Sequence, residues 1–97
     1  MRPSGNLLLL QALGTTLKER RAELGLTQED VAGVAEIDRP FITLIEAARK
    51  QPTISVLWRL ATALQLSPAE FMARIDQRYE AVRAVASDAK NVRRRRS

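Results

Sequence analysis

The side chains able to do chemistry in this chain are amides, hydroxyls, carboxylates and cations, because its 97 residues include no cysteine and no histidine. That excludes disulfides, Cys/His zinc sites, thiol nucleophiles and histidine acid–base catalysis. No paired-acid motif and no phosphate-cradling glycine loop occurs, so an enzyme, a bound metal and a cofactor are not expected. What the spacing does offer is a row of donors: Gln28, Arg39, Thr43, Arg49 and Lys50. Amides, hydroxyls and cations of this kind suit phosphate oxygens, and a guanidinium can bond O6 and N7 of one guanine.

The elements that must position these groups lie between Thr27 and Ala47, TQEDVAGVAEIDRPFITLIEA. Thr27 and Asp30 have the capping-box spacing, with Leu26 and Val31 as the flanking hydrophobic staple. Asp38 repeats that grammar as an N-cap, with Ile37 and Ile42 around it, and Pro40 falls in the first turn, where a missing N–H costs nothing. The spacing predicts one helix over 28–35 and another from Arg39 to Ala47 or Ala48, joined by a corner too short for anything but a sharp turn. Two helices so joined form a helix-turn-helix, whose second helix can enter a DNA major groove. Ile42 and Ile45 face inward, leaving Arg39, Pro40 and Thr43 outside. Phe41 and Leu44 admit three readings: internal packing, contact with thymine methyls or sugars, or contact with a protein partner. Gln28, at a helix N-terminus, is placed for a phosphate, although an ordinary surface glutamine fits as well.

The rest of the chain divides by pattern. Residues 1–12 read as a flexible arm and helix start, 13–71 as the helix-turn-helix domain, 72–89 as a C-terminal helix and 90–97 as a disordered basic tail. Gly14 weakens the first helical pattern, which suggests a start near Thr15 or Thr16 and a stop at Gly25. Lys18, Arg20 and Arg21 lie on its polar side, as a solvated face or, for Arg21, as a phosphate contact. Thr53 caps a helix beginning at Ile54, and Ser67-Pro68-Ala69-Glu70 is a full helix start. Trp58 lies off the apolar stripe beside Val56, as at a subunit contact. Phe71, Ile75, Tyr79 and Val82 continue a stripe beyond the compact unit that must dock on its own domain or on a second chain, and a homodimer with these residues at the contact is expected. The net charge of +5 resides entirely in Lys90 and Arg93–Arg96, which leaves 11 basic and 11 acidic side chains in the rest. Global charge therefore says nothing for DNA binding by the domain. Leu7–Leu10 is too short to span a bilayer, and a cytoplasmic, nucleoid-associated protein without membrane contact is expected.

The run from Leu13 to Phe71 resembles the Cro/C1-type (Xre) helix-turn-helix family. The likeness is carried by LGTTLKERRAELGLTQEDVA, IDRPFITLIE and PTISVLWRLATALQLS, and IDRPFITLIEAARKQPT is most similar to restriction–modification controller proteins. The resemblance implies an all-α, five-helix lambda-repressor-like domain, here with an extended C-terminal helix, that dimerises through its fourth and fifth helices and binds an operator in double-stranded DNA. It implies that Arg39 reads a base, that Gln28 and Thr43 contact backbone or bases, and that Arg21, Arg49, Lys50 and Thr53 hold phosphates. Asp38, Pro40 and Phe41 belong to the same candidate surface. Departures from the family pattern are Glu36 at the usual turn glycine, Pro40 after Arg39, and Leu44, Ala47 and Ala48 in place of polar, basic and glycine residues. The function expected is a dimeric transcriptional regulator at a palindromic operator, plausibly autoregulatory. The alternative is a protein-interaction module of antitoxin or anti-activator type on the same fold.

Overall fold

The computed structural model describes the backbone of residues 3–96 and the side chains of residues 7–87. It contains α1 (Pro3–Leu24), α2 (Gln28–Ala35), α3 (Arg39–Glu46), α4 (Ile54–Ala63) and α5 (Pro68–Arg96), with no strand among the described residues. The expected all-α, five-helix architecture is present.

Local sequence sets most of the helix ends. At α2 the Asp30 N–H donates to Thr27 Oγ1 at 3.0 Å, and the Thr27 N–H donates to Asp30 Oδ2 at 2.9 Å. Ser67 and Glu70 repeat this reciprocal pair at α5. The backbone bond from the cap residue in each case holds the Asp30 and Glu70 carboxyls below their ordinary values. Thr53 accepts from the Val56 N–H at the start of α4. Asp38 has N-cap backbone geometry but makes no side-chain cap bond. Pro40 removes one of the two amides an N-cap oxygen normally takes, and the Phe41 N–H bonds the Asp38 carbonyl instead.

Helices α1 to α4 all end in the same way, with a left-handed residue and two backward bonds to the last turn. Only Gly25 does this without a side chain. Glu36, Ala48 and Gln65 adopt φ of 56°, 59° and 58°, where a Cβ crowds the backbone. The bond pair at Ala48, from Ala48 N–H to the Ile45 carbonyl and from Arg49 N–H to the Leu44 carbonyl, turns the chain off α3. Arg20 helps close α4 by donating from Nε to the Leu64 carbonyl at 2.9 Å. It is therefore neither a solvated surface cation nor a free phosphate contact.

Leu17, Val31, Ile42, Ile45, Leu60, Leu64 and Phe71 form the fully buried centre. Helix α5 runs antiparallel to α1, clamped by Glu23 to Arg74 and Glu19 to Arg78. Three expectations are corrected. First, α1 does not begin at Thr15 or Thr16 after a flexible start; it is continuous from Pro3, and Gly14 lies mid-helix where α1 crosses the last turn of α3. A Cβ there would stand 2.6 Å from the Glu46 carbonyl oxygen, so the glycine permits a close approach rather than breaking the helix. Second, α5 continues through residues 90–96, where the basic composition predicts a disordered tail; no glycine or proline interrupts the sequence after Pro68. The side chains of that basic segment, and Ser97 altogether, lie outside the described residues. Third, Phe71 and Ile75 are buried in their own core, so they are not free for a subunit contact.

These geometries predict opposite signs for two small substitutions. Gly14→Ala, which in an ordinary helix would gain about 1 kcal/mol, should destabilise by roughly 1–3 kcal/mol through overpacking. Ala48→Gly should stabilise by about 1 kcal/mol by relieving the left-handed residue. Thermal melts of both variants check this; a neutral or stabilising Gly14→Ala would contradict the close crossing.

Candidate nucleic-acid interface

Helix α3 divides into two sides. On a wheel of about 100° per residue, Ile42, Ile45 and Glu46 occupy the buried side, and Arg39, Thr43, Ala47, Pro40 and Leu44 follow one another around the exposed side. A glutamate on the buried side of an eight-residue helix needs a compensating charge. Arg21 supplies it in a two-pronged pair, Nε to Glu46 Oε2 at 2.6 Å and Nη2 to Oε1 at 3.0 Å. The hydrogen bond to Glu46 raises the Arg21 pKa above its ordinary value. A third donor of Arg21 reaches the Leu26 carbonyl, in the loop before α2. One arginine thus ties α1, the α1–α2 loop and the end of α3 together.

The same carboxylate orders the outer face. Gln28 Nε2 donates to Glu46 Oε1 at 3.0 Å, which fixes the amide so that its oxygen accepts from Thr43 Oγ1, also at 3.0 Å. The single hydroxyl proton of Thr43 is shared between Gln28 Oε1 and the Arg39 carbonyl, the latter at 3.3 Å, and with either partner its oxygen is left as an acceptor on the exposed side of α3. Gln28 keeps one side-chain N–H and its backbone N–H free at the start of α2. Beside them Arg21, Thr27, Gln28, Glu29 and Arg39 line a shallow recess. That recess lies at a helix N-terminus, and its lining joins two arginines, each paired with a glutamate, to the Gln28 amide and the Glu29 carboxylate.

The structure places the other candidates around this centre. Arg39 is exposed and meets Glu29 Oε1 at 3.4 Å, rather than the Asp38 or Glu36 partner its neighbours in sequence suggest. An exposed pair at this distance is worth little and leaves the guanidinium available. Lys50 Nζ lies 5.9 Å from the Phe41 ring centroid, and Phe41 is half-buried because it packs against the core. Asp38 before α3, Pro40 in its first turn, Arg49 after it and Thr53 at the cap of α4 are all exposed. Arg21 is not a solvated surface cation: its side chain is 20% exposed and pairs with Glu46.

A helix-turn-helix domain family profile matches residues 12–73. The chain belongs to the helix-turn-helix domain family. It is 32% identical over 65 residues to the uncharacterized HTH-type transcriptional regulator y4dJ of Sinorhizobium fredii, covering 67% of this chain and 84% of that protein. Among solved structures it is similar to the restriction–modification controller protein C.AhdI of Aeromonas hydrophila, at TM-score 0.62 and 32% identity over 64% of this chain and 94% of the other. The C.Esp1396I tetramer in complex with its natural 35 base-pair operator matches at TM-score 0.69 and 31% identity, over 73% and 93%. The chain is thus a DNA-binding transcriptional regulator of Cro/C1 type, and the resemblance to restriction–modification controllers read from the sequence holds. No helix among the described residues is long and apolar enough to cross a membrane.

The residues expected at a subunit contact separate in this helix-turn-helix protein. Trp58 is 54% exposed on α4, beside the more exposed Ile54, and Val56 is half-buried. Tyr79 packs partly on the core, and Val82 lines a shallow apolar recess with Leu8, Val85 and Ala86. Of the Leu7–Leu10 run, Leu8 and Leu10 are half-buried while Leu7 and Leu9 are exposed.

Sequence reasoning passes over Glu46 and Glu29. Glu46 carries a signal, since it falls one turn after Ile42 on the apolar stripe of α3. Removing Arg21 alone should strand its charge. Arg21→Met should cost roughly 2–4 kcal/mol, somewhat below the cost of breaking a fully buried pair because Arg21 keeps some exposure. Adding Glu46→Leu should restore most of that loss. Denaturant titration of the single and double variants checks it; an Arg21→Met protein of unchanged stability would show the pair to be incidental.

Proposed function

We propose that this regulator acts as a homodimer on a near-palindromic operator, with α3 of each protomer in the major groove, and that its targets include its own promoter. The observation that carries the reading is the exposed edge of Arg39, Thr43 and Gln28, held in place from behind by Glu46. Arg39 leads at the N-terminal end of α3 and bonds O6 and N7 of a guanine in each half-site. Thr43 accepts from a base amino group. The free amides of Gln28, with Arg49, Lys50 and Thr53, hold phosphates and set the register. Arg21 positions this edge from beneath. Dimerisation is supported by the apolar surface at Ile54, Trp58 and Met72, and half-site centres then lie about 10 base pairs, or a multiple of one turn, apart. The operator-bound tetramer of C.Esp1396I supports the same mode of assembly. The partner-binding alternative loses ground because half of its apolar face, Phe41, is packed against the core.

Operator selection followed by titration tests the assignment. Arg39→Ala should weaken the selected site by about 1–3 kcal/mol and relax preference at one base pair per half-site, with melting unchanged. Lys50→Ala should weaken all sequences alike. Unaltered operator affinity for Arg39→Ala would leave Arg39 only its surface pair with Glu29.

The subunit contact has its own test. Trp58→Glu should shift the protein from dimer to monomer in sedimentation at tens of micromolar, on the order of ordinary assay concentrations, while helicity is retained. A variant that sediments as the parent does would remove Trp58 from the interface.

A further inference from the structure

The exposed side of α3 is chemically split. Its polar edge, Arg39 and Thr43, adjoins an arc of Ala47, Pro40 and Leu44 that can neither donate nor accept a hydrogen bond from a side chain. Leu44 is 40% exposed and is not covered by Lys50, which sits over Phe41 on the next stretch of the wheel. A helix seated in the groove by Arg39 and Thr43 brings this arc against base edges too, because the two parts share one exposed side.

We propose that Pro40, Leu44 and Ala47 form a subsite for the C5-methyl group of a pyrimidine, so that Leu44 selects thymine in each operator half-site. This rests on the DNA-reading assignment of α3 made above. Thymine carries the one apolar group in the major groove; every other feature there is a donor or an acceptor. Against Leu44, a thymine methyl is buried favourably. A cytosine has only a hydrogen at C5, so this contact is lost, and an amino group replaces thymine O4 on the neighbouring carbon. Discrimination therefore comes from the methyl contact, since the arc offers a partner neither to thymine O4 nor to a cytosine amino group. The rise from Arg39 to Leu44 is about 7.5 Å along the helix, so the thymine lies within about two base steps of the pair read by Arg39. A cytosine methylated at C5 offers the same methyl group and should be accepted better than plain cytosine.

The test uses the full-length protein and its selected operator, with single thymines replaced by deoxyuridine, which removes only the methyl group. Affinity should fall about fourfold at one or two thymines per half-site, the worth of one buried methyl. In Leu44→Ala, checked by melting to be folded, the same replacements should have no effect. Cytosine at those positions should bind more weakly than thymine, and 5-methylcytosine should regain part of the loss. Specific binding that is indifferent to deoxyuridine everywhere would overturn the methyl subsite while leaving the DNA-reading assignment intact. Sensitivity that persists in Leu44→Ala would also overturn it, since another residue would then make the contact. Failure to select any sequence over random DNA would defeat the underlying assignment, and this inference with it. Capture of a protein through Leu44 in place of DNA would do the same.

Discussion

The pair between Arg21 and Glu46 is the constraint on which the working face depends. A carboxylate on the inner side of α3 is tolerable only while a cation meets it, and the cation comes from a different helix. Breaking such a pair leaves an uncompensated charge, whereas replacing both partners by apolar groups is often harmless. The pair is therefore weak evidence for stability and better evidence for specificity of arrangement. Its geometry sets the crossing of α1 over the end of α3, and the missing side chain at Gly14 lets the two backbones meet there.

From that buried point the order propagates outward through two hydrogen bonds, Glu46 to Gln28 and Gln28 to Thr43. Side chains that must match base edges lose affinity if they have to be frozen on binding, so orienting them beforehand is favourable. Glu46 is 8% exposed, yet it settles which way the Gln28 amide faces and so offers the Thr43 hydroxyl an acceptor. The regulator achieves this with a nearly neutral domain, in which Glu29 and Glu36 lie close to the reading edge. Affinity of the domain must then rest on a few placed contacts rather than on a broad positive field.

What can be read in the sequence follows the range of the interactions. Caps at Thr27, Thr53 and Ser67, and the corner before Asp38, depend on residues three or four apart, and these are legible. Gly14 misleads because helix propensity is local, while the reason for a glycine there is the backbone of Glu46 passing close by. The stripe of Phe71 and Ile75 is visible, but periodicity cannot say whether an apolar face closes on its own chain or on another. Arg39 finds Glu29 ten residues away, and Arg21 finds Glu46 twenty-five residues away. Both pairings require the fold. Helical spacing puts Arg39, Pro40 and Thr43 on the exposed side of α3, where the structure has them; it does not reveal the apparatus behind them.

The central claim is that Glu46 acts on DNA through Gln28. A double-mutant cycle on operator affinity tests it most directly, using Gln28→Ala, Glu46→Leu and the two together. Loss of Gln28 should matter in the parent protein and hardly at all once Glu46 is gone, giving a coupling of about 1–2 kcal/mol. If the two losses simply add in variants that remain folded, the buried carboxylate does not orient the reading edge, and the claim is wrong.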